Sequence, residues 1–138
     1  MASRCLTRPY EITGRVVHGF HVGHELGFPT ANIQVEDAQK LIPKNGVYAV
    51  WVKGGTGGEE HVWGGMLNIG LRPTMENGEN RTIEVHLLDF AGDLYGCCLM
   101  LSFVRRLRDE KKFRNKGDLV HQLREDEAMV RMILNKEQ

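Results

Sequence analysis

Val47-Tyr48-Ala49-Val50-Trp51-Val52 and His61-Val62-Trp63-Gly64-Gly65-Met66-Leu67 stand on either side of Gly54-Gly55-Thr56-Gly57-Gly58. β-Branched and aromatic residues fit a pleated, half-buried surface, and glycines between two such stretches supply the reversal of a hairpin. The stretch therefore predicts two antiparallel strands. Working outward, residues Tyr10–Val17 and 82–88 predict two more, the second with clear alternation, while 99–104 gives a fifth and Ala31–Val35 a short sixth. Strands so closely spaced, with turn signals at Glu76-Asn77-Gly78 and Ala91-Gly92-Asp93, argue for antiparallel pairing rather than βαβ units. Closing them into a barrel removes their unpaired edges. Only one segment has a helical period: Asp118 can cap a stretch in which Leu119, Val120, Leu123, Val130, Ile133 and Leu134 recur at helical spacing. The expected fold is mainly β, a small antiparallel barrel over 10–104 with a helix over 118–135 on its wall. Residues 1–9 form an N-terminal segment and 105–117 a connecting loop.

A chain of 138 residues fits one domain, and 41% hydrophobic with 26% charged residues is the balance of a folded protein. The 18 basic and 18 acidic residues cancel, so no global field draws the chain to nucleic acid or to an anionic membrane. The longest apolar run, 97–104, is broken by Ser102 and falls far short of the roughly 20 residues a membrane span needs. No secretory leader is expected either. Cys5, Cys97 and Cys98 suit neither a disulfide framework nor zinc spacing and read as reduced, cytoplasmic thiols.

Four segments carry chemistry. In the first, Gly19, Gly23 and Gly27 recur at four-residue spacing ahead of Phe28-Pro29-Thr30-Ala31-Asn32. Such a loop can bring its backbone close to a ligand and present N–H groups to anionic oxygens, or it is an ordinary glycine-rich turn. It is neither a Walker A loop nor a dinucleotide fingerprint. Thr30 and Asn32 lie two apart, so in an extended segment both point to one face, where a hydroxyl and an amide oxygen can reach a magnesium ion or simply stabilise a turn. In the second, alternation puts Ile83, Val85 and Leu87 on one face of a strand and Thr82, Glu84 and His86 on the other. If that second face lines a cavity, Glu84 is placed for general-base work; if it meets water, Glu84 and His86 are its solvated side. In the third, Arg105 to Lys116 holds seven basic and two acidic residues and one aromatic, Phe113, which either packs on a planar ring or anchors the loop. In the fourth, Asn68-Ile69-Gly70-Leu71-Arg72-Pro73-Thr74 is sufficiently explained as a tight turn after a strand.

Together these segments resemble the riboflavin kinase family, the flavokinases that convert riboflavin to FMN. The resemblance rests on Gly27-Phe28-Pro29-Thr30-Ala31-Asn32, on Asn68-Ile69-Gly70 with Pro73-Thr74, on Glu84-Val85-His86-Leu87-Leu88-Asp89-Phe90 with Asp93-Leu94-Tyr95-Gly96, and on Leu107-Arg108 with Glu110-Lys111 and Phe113. It implies a six-stranded Greek-key barrel with a helix outside it. It also implies that Thr30 and Asn32 contact Mg2+ and the phosphates of ATP, that the loop from Gly19 through His24 to Gly27 and Pro29 folds over the nucleotide, and that His86 and Tyr95 touch the nucleotide side. Glu84 would be the base on the ribityl 5′-hydroxyl, and Arg108, Glu110 and Phe113 would close over the isoalloxazine. Several relatives carry a lysine or arginine in the glycine loop where this chain offers His21 and His24. In bacteria the module is often the C-terminal half of a bifunctional FAD synthetase. Leu6-Thr7-Arg8-Pro9-Tyr10 resembles the point where that module begins, and without an adenylyltransferase half the chain is not expected to make FAD.

Two rival readings belong to other classes. A flavin carrier or sensor would bind flavin with or without Mg-ATP and has no use for Thr30, Asn32 and Glu84 together. A nucleic-acid-binding barrel would use the Arg105 to Lys116 run, but zero net charge and 7% aromatic residues count against it.

Overall fold

A computed structural model of the chain describes residues 10–17, 30–35, 42–54, 60–74, 78–90 and 94–137, with only the backbone of 71–74, 78–80 and 137. Six strands, β1 (Tyr10–Val17), β2 (Ala31–Val35), β3 (Gly46–Gly54), β4 (His61–Thr74), β5 (Gly78–Leu87) and β6 (Cys98–Arg108), precede one helix, α1 (Lys116–Glu137). Every pairing is antiparallel, and the strands close in the order β1-β2-β5-β4-β3-β6. β3, β4 and β5 run as a meander, after which β6 returns to lie beside β3. That is a Greek key, as expected. The glycine-rich hairpin connection at 55–59 and the turns at 75–77 and 91–93 lie outside the described residues.

Alternation along the strands separates two apolar layers. Inward-facing Ile33, Val50, Val52, Leu67, Ile69, Ile83, Val85, Leu99 and Leu101 fill the barrel. On the outer face Val47, Ala49, Met66 and Leu88 meet Val130, Ile133 and Leu134 of α1. Each fully buried side chain of this size contributes roughly 1.5–3 kcal/mol. The helix comes close because Gly64 has no side chain: a Cβ there would stand 2.7 Å from Leu134 Cδ1.

Three sequence expectations are corrected. β6 runs on through Arg108 instead of ending at Val104, so only 109–115 within 105–117 is irregular. The reason is two bulges, in which the register with β3 passes from Arg108 to Arg106 and from Arg105 to Phe103, leaving out Leu107 and Val104. Those two side chains pack on the α1 layer, and the arginines between them hide the strand's apolar pattern in the sequence. Second, β4 continues through Gly70 to Thr74 and is no tight turn after Asn68. Third, α1 starts at Lys116, with Asn115 rather than Asp118 as its cap. Asn115 Oδ1 accepts the Asp118 N–H at 2.9 Å, which satisfies one of the helix's open donors, and Asp118 sits in the first turn, where its charge suits the helix dipole.

Candidate active site

The outer face of the sheet carries a mainly polar row of side chains fixed by strand register. Asn32 on β2 pairs with Glu84 on β5, Glu84 with Asn68 on β4, Asn68 with Val47 on β3, and Val47 with Arg108 on β6. The neighbouring row runs from His86 through Met66 to Ala49. Ile83, Val85 and Leu87 point into the barrel, so Glu84 and His86 face outward as the alternation predicts. Just before β2, Thr30 Oγ1 donates to Glu84 Oε1 at 3.2 Å. A hydroxyl that gives its proton to a carboxylate keeps its lone pairs for a cation.

Over this face lies a cavity of about 270 Å³. Its floor is Val47, Met66, Asn68, Glu84 and His86 with Thr30 at one edge; Leu119, Leu123 and Asp126 of α1 form a wall, and Arg108, Glu110, Lys111 and Phe113 close it. Thr30 and Glu84 meet in this cavity, Val47, Met66, Phe113 and the two leucines give it apolar surface, and Asn68, His86, Arg108, Glu110, Lys111 and Asp126 add polar groups. Such a cavity suits a ligand with a flat apolar body and a hydroxylated tail.

The closing segment is held at successive residues. Arg108 binds Asp126 in a fork, Nη2 to Oδ2 at 2.7 Å and Nε to Oδ1 at 3.0 Å, and Asp126, only 4% exposed, also accepts from Gln122 Nε2 at 3.0 Å. Arg106 Nη2 donates to Asp109 Oδ1 and to the Asn45 carbonyl, both at 2.6 Å. The hydrogen bond from Arg106, and then its charge, hold the Asp109 carboxyl below the usual aspartate range. Glu110 rests on Gly70 of β4. Lys111 Nζ lies 3.4 Å from Gln122 Oε1.

The structure thus brings Thr30, Glu84, His86, Arg108, Glu110 and Phe113 to one cavity and Asn32 to its edge through the Glu84 pairing. Tyr95 is exposed and does not line it; its turn is fastened to β1, where the Gly96 N–H donates to the Val16 carbonyl at 2.9 Å. Gly19, His24, Gly27 and Pro29 lie outside the described residues, as does His21. Sequence reasoning missed Asp126 and Asn68 as cavity residues, while Lys111 falls within the loop from Arg108 to Phe113 expected to close over the ligand. Alternation through Asn68-Ile69-Gly70 would have placed Asn68 opposite Glu84, whereas nothing local to Asp126 marks it as the partner of Arg108.

Among the described residues no group of three or more His, Cys, Asp or Glu could hold a metal by itself. The oxygen donors of Thr30 and Asn32 fit Mg2+, a hard cation commonly held by one or two protein ligands together with phosphate oxygens and water.

The family model for riboflavin kinase, the flavokinases, matches residues 6–134. The chain belongs to the riboflavin kinase family. It is 41% identical over 133 residues to the bifunctional riboflavin kinase/FMN adenylyltransferase of Pseudomonas fluorescens, covering 96% of this chain and 41% of that protein. The corresponding Escherichia coli K12 protein is also 41% identical, over 95% of this chain and 40% of its own length. The chain therefore spans about two fifths of these curated relatives. A crystal structure of riboflavin kinase from Trypanosoma brucei superposes with a TM-score of 0.72 at 27% identity, over 94% of this chain and 82% of that one. A Streptococcus pneumoniae chain described as a macrolide-efflux protein gives 0.82 at 35% identity, over 94% and 41%. In this family member no helix among the described residues is long and apolar enough to cross a membrane.

Proposed function

We propose that the chain transfers the γ-phosphoryl group of ATP to the 5′-hydroxyl of riboflavin, giving FMN and ADP in the cytoplasm. The observation that carries the reading is the meeting of the Glu84 carboxylate and the Thr30 hydroxyl in a cavity that Val47, Met66, Phe113, Leu119 and Leu123 also line. Riboflavin has the matching form, a flat ring system with a hydroxylated tail. Met66, Phe113, Leu119 and Leu123 pack on the ring, Arg108 and Glu110 line its edge, and the tail reaches Glu84.

The reaction forms a bond from the 5′-oxygen to the γ-phosphorus and breaks the one from that phosphorus to the β,γ-bridging oxygen. Glu84 takes the hydroxyl proton. Phosphoryl transfer passes through a loose transition state, so alignment and charge neutralisation do most of the catalysis. Thr30 and Asn32 would hold Mg2+, which neutralises phosphate charge when bound. His86 lies beside Glu84 on the same face and takes the nucleotide side, together with Gly19, His24, Gly27, Pro29 and Tyr95. The adenylyltransferase of the bifunctional relatives is proposed as this module's partner domain.

The deciding experiment incubates the chain with riboflavin, ATP and magnesium and separates riboflavin, FMN and FAD by chromatography with fluorescence detection. FMN that depends on both ATP and magnesium, without FAD, is expected. Riboflavin binding with no FMN would make the chain a carrier or sensor, and no binding at all would overturn the reading.

A further inference from the structure

We propose that Gly70 is a positioning residue whose missing side chain is the seat of the Glu110 carboxylate at the wall of the cavity. The ligand named for that cavity rests on the riboflavin kinase reading; the seat itself rests on the packing of β4 against the segment after β6.

Gly70 is buried in β4, two residues beyond Asn68 and on the same outer face, and it pairs with Thr82 of β5. A Cβ at this position would overlap Glu110 Oε2 and stand 2.6 Å from the carboxyl carbon and 2.9 Å from Oε1. All three nearest atoms belong to one carboxylate, so the Glu110 carboxylate stands in the space a side chain would fill at residue 70. The chain just before Glu110 is tethered to its surroundings by side chains. Arg108 is forked onto Asp126 and Asp109 is bound by Arg106, which fixes the chain immediately before Glu110. A methyl group at residue 70 therefore has two outcomes. It turns the carboxylate into the cavity, or it lifts the closing segment off the sheet; either one reshapes the place where the ligand's ring would lie.

The test is a double-mutant cycle with Gly70→Ala and Glu110→Ala, read in two ways. Riboflavin affinity is taken from quenching of flavin fluorescence, and thermal unfolding is followed without any ligand. Gly70→Ala is expected to weaken riboflavin about tenfold and to lower Tm by about 5 °C when Glu110 is present. In the Glu110→Ala background the same substitution is expected to change neither, because the atoms it strikes are gone. A structural role of Gly70 in the strand would give equal losses in both backgrounds, and that result, or no effect with Glu110 present, overturns the proposal. If the chain binds no riboflavin, the functional reading fails by itself, and the unfolding cycle still decides whether the seat exists. Coupled shifts in Tm support it and additive shifts remove it.

Discussion

Along its second half α1 packs a closed apolar layer on the barrel and along its first half it faces a cavity, although the same helix and the same sheet face build both. Toward the helix C-terminus, Val130, Ile133 and Leu134 are buried against Ala49, Met66 and Leu88, with Gly64 letting Leu134 come close. Toward the N-terminus, Leu119 and Leu123 are only half-buried and look onto a cavity. Between the two ends stands Asp126, one turn before Val130, braced against Arg108. Apolar content does not distinguish the ends. Between them the polar strut pins helix to sheet; the half after it packs the closed apolar layer, with an open surface pocket at Gly64, Leu88 and Leu134, and the half before it lines the cavity.

The sharpest way to break this division is to remove the chemistry from the open end without touching packing. Glu84→Gln is expected to lower FMN formation by about 10²–10⁴-fold while leaving riboflavin affinity within about twofold. Equal losses in both would make Glu84 a structural residue.

Removing the strut tests the boundary itself. Asp126→Ala leaves the Arg108 guanidinium, 18% exposed, without its carboxylate, and is expected to cost about 3 kcal/mol in urea unfolding and to raise the riboflavin KM as well. A loss confined to stability would separate the strut from the cavity.

Paired truncations compare the ends directly. Ile133→Ala is expected to cost about 3 kcal/mol with unchanged activity per folded molecule, because it opens a void in a closed layer. Leu123→Ala, facing space already open, is expected to cost about 1 kcal/mol and to raise the riboflavin KM several-fold. Similar stability costs for the two would contradict the division.

The smallest effect lies at the far end of the helix. Arg131 Nη1 and Nη2 donate to the two oxygens of Asp89, each at 3.0 Å, and these hydrogen bonds, followed by the arginine's charge, hold the Asp89 carboxyl below its ordinary value. A depressed acid stabilises the fold above its unfolded pKa and loses that contribution as pH falls through the folded one. Asp89→Asn is therefore expected to be slightly less stable than the wild type at neutral pH and equal to it in strong acid. Melting curves across that range check the sign.

Much of this arrangement was legible in the sequence, for local reasons. Alternation in 82–88 oriented Glu84 and His86, the two-residue spacing placed Thr30 and Asn32 together, and helical spacing picked the buried face of α1. What stayed hidden depends on partners distant in the chain. The last turn of β6 is masked because its apolar residues sit at bulges among arginines, and only pairing with β3 makes it a strand. Asp126 reads as one more acid on a solvated helix until Arg108 is seen beside it. Gly70 reads as a turn residue because the carboxylate that occupies its side-chain space arrives from another element.

The seam between β1 and β6, where Tyr10 pairs with Phe103 and Ile12 with Leu101, joins the two ends of the strand sequence. Pairings so far apart along the chain must first overcome the entropy of closing a long loop, and folds that rely on them form slowly. Here β6 closes the barrel, and its last residue, Arg108, together with the segment that follows it covers the cavity. A nascent chain still lacking β6 has no seam and no complete cavity, so ligand binding during synthesis or refolding would report the last step of folding rather than an early one.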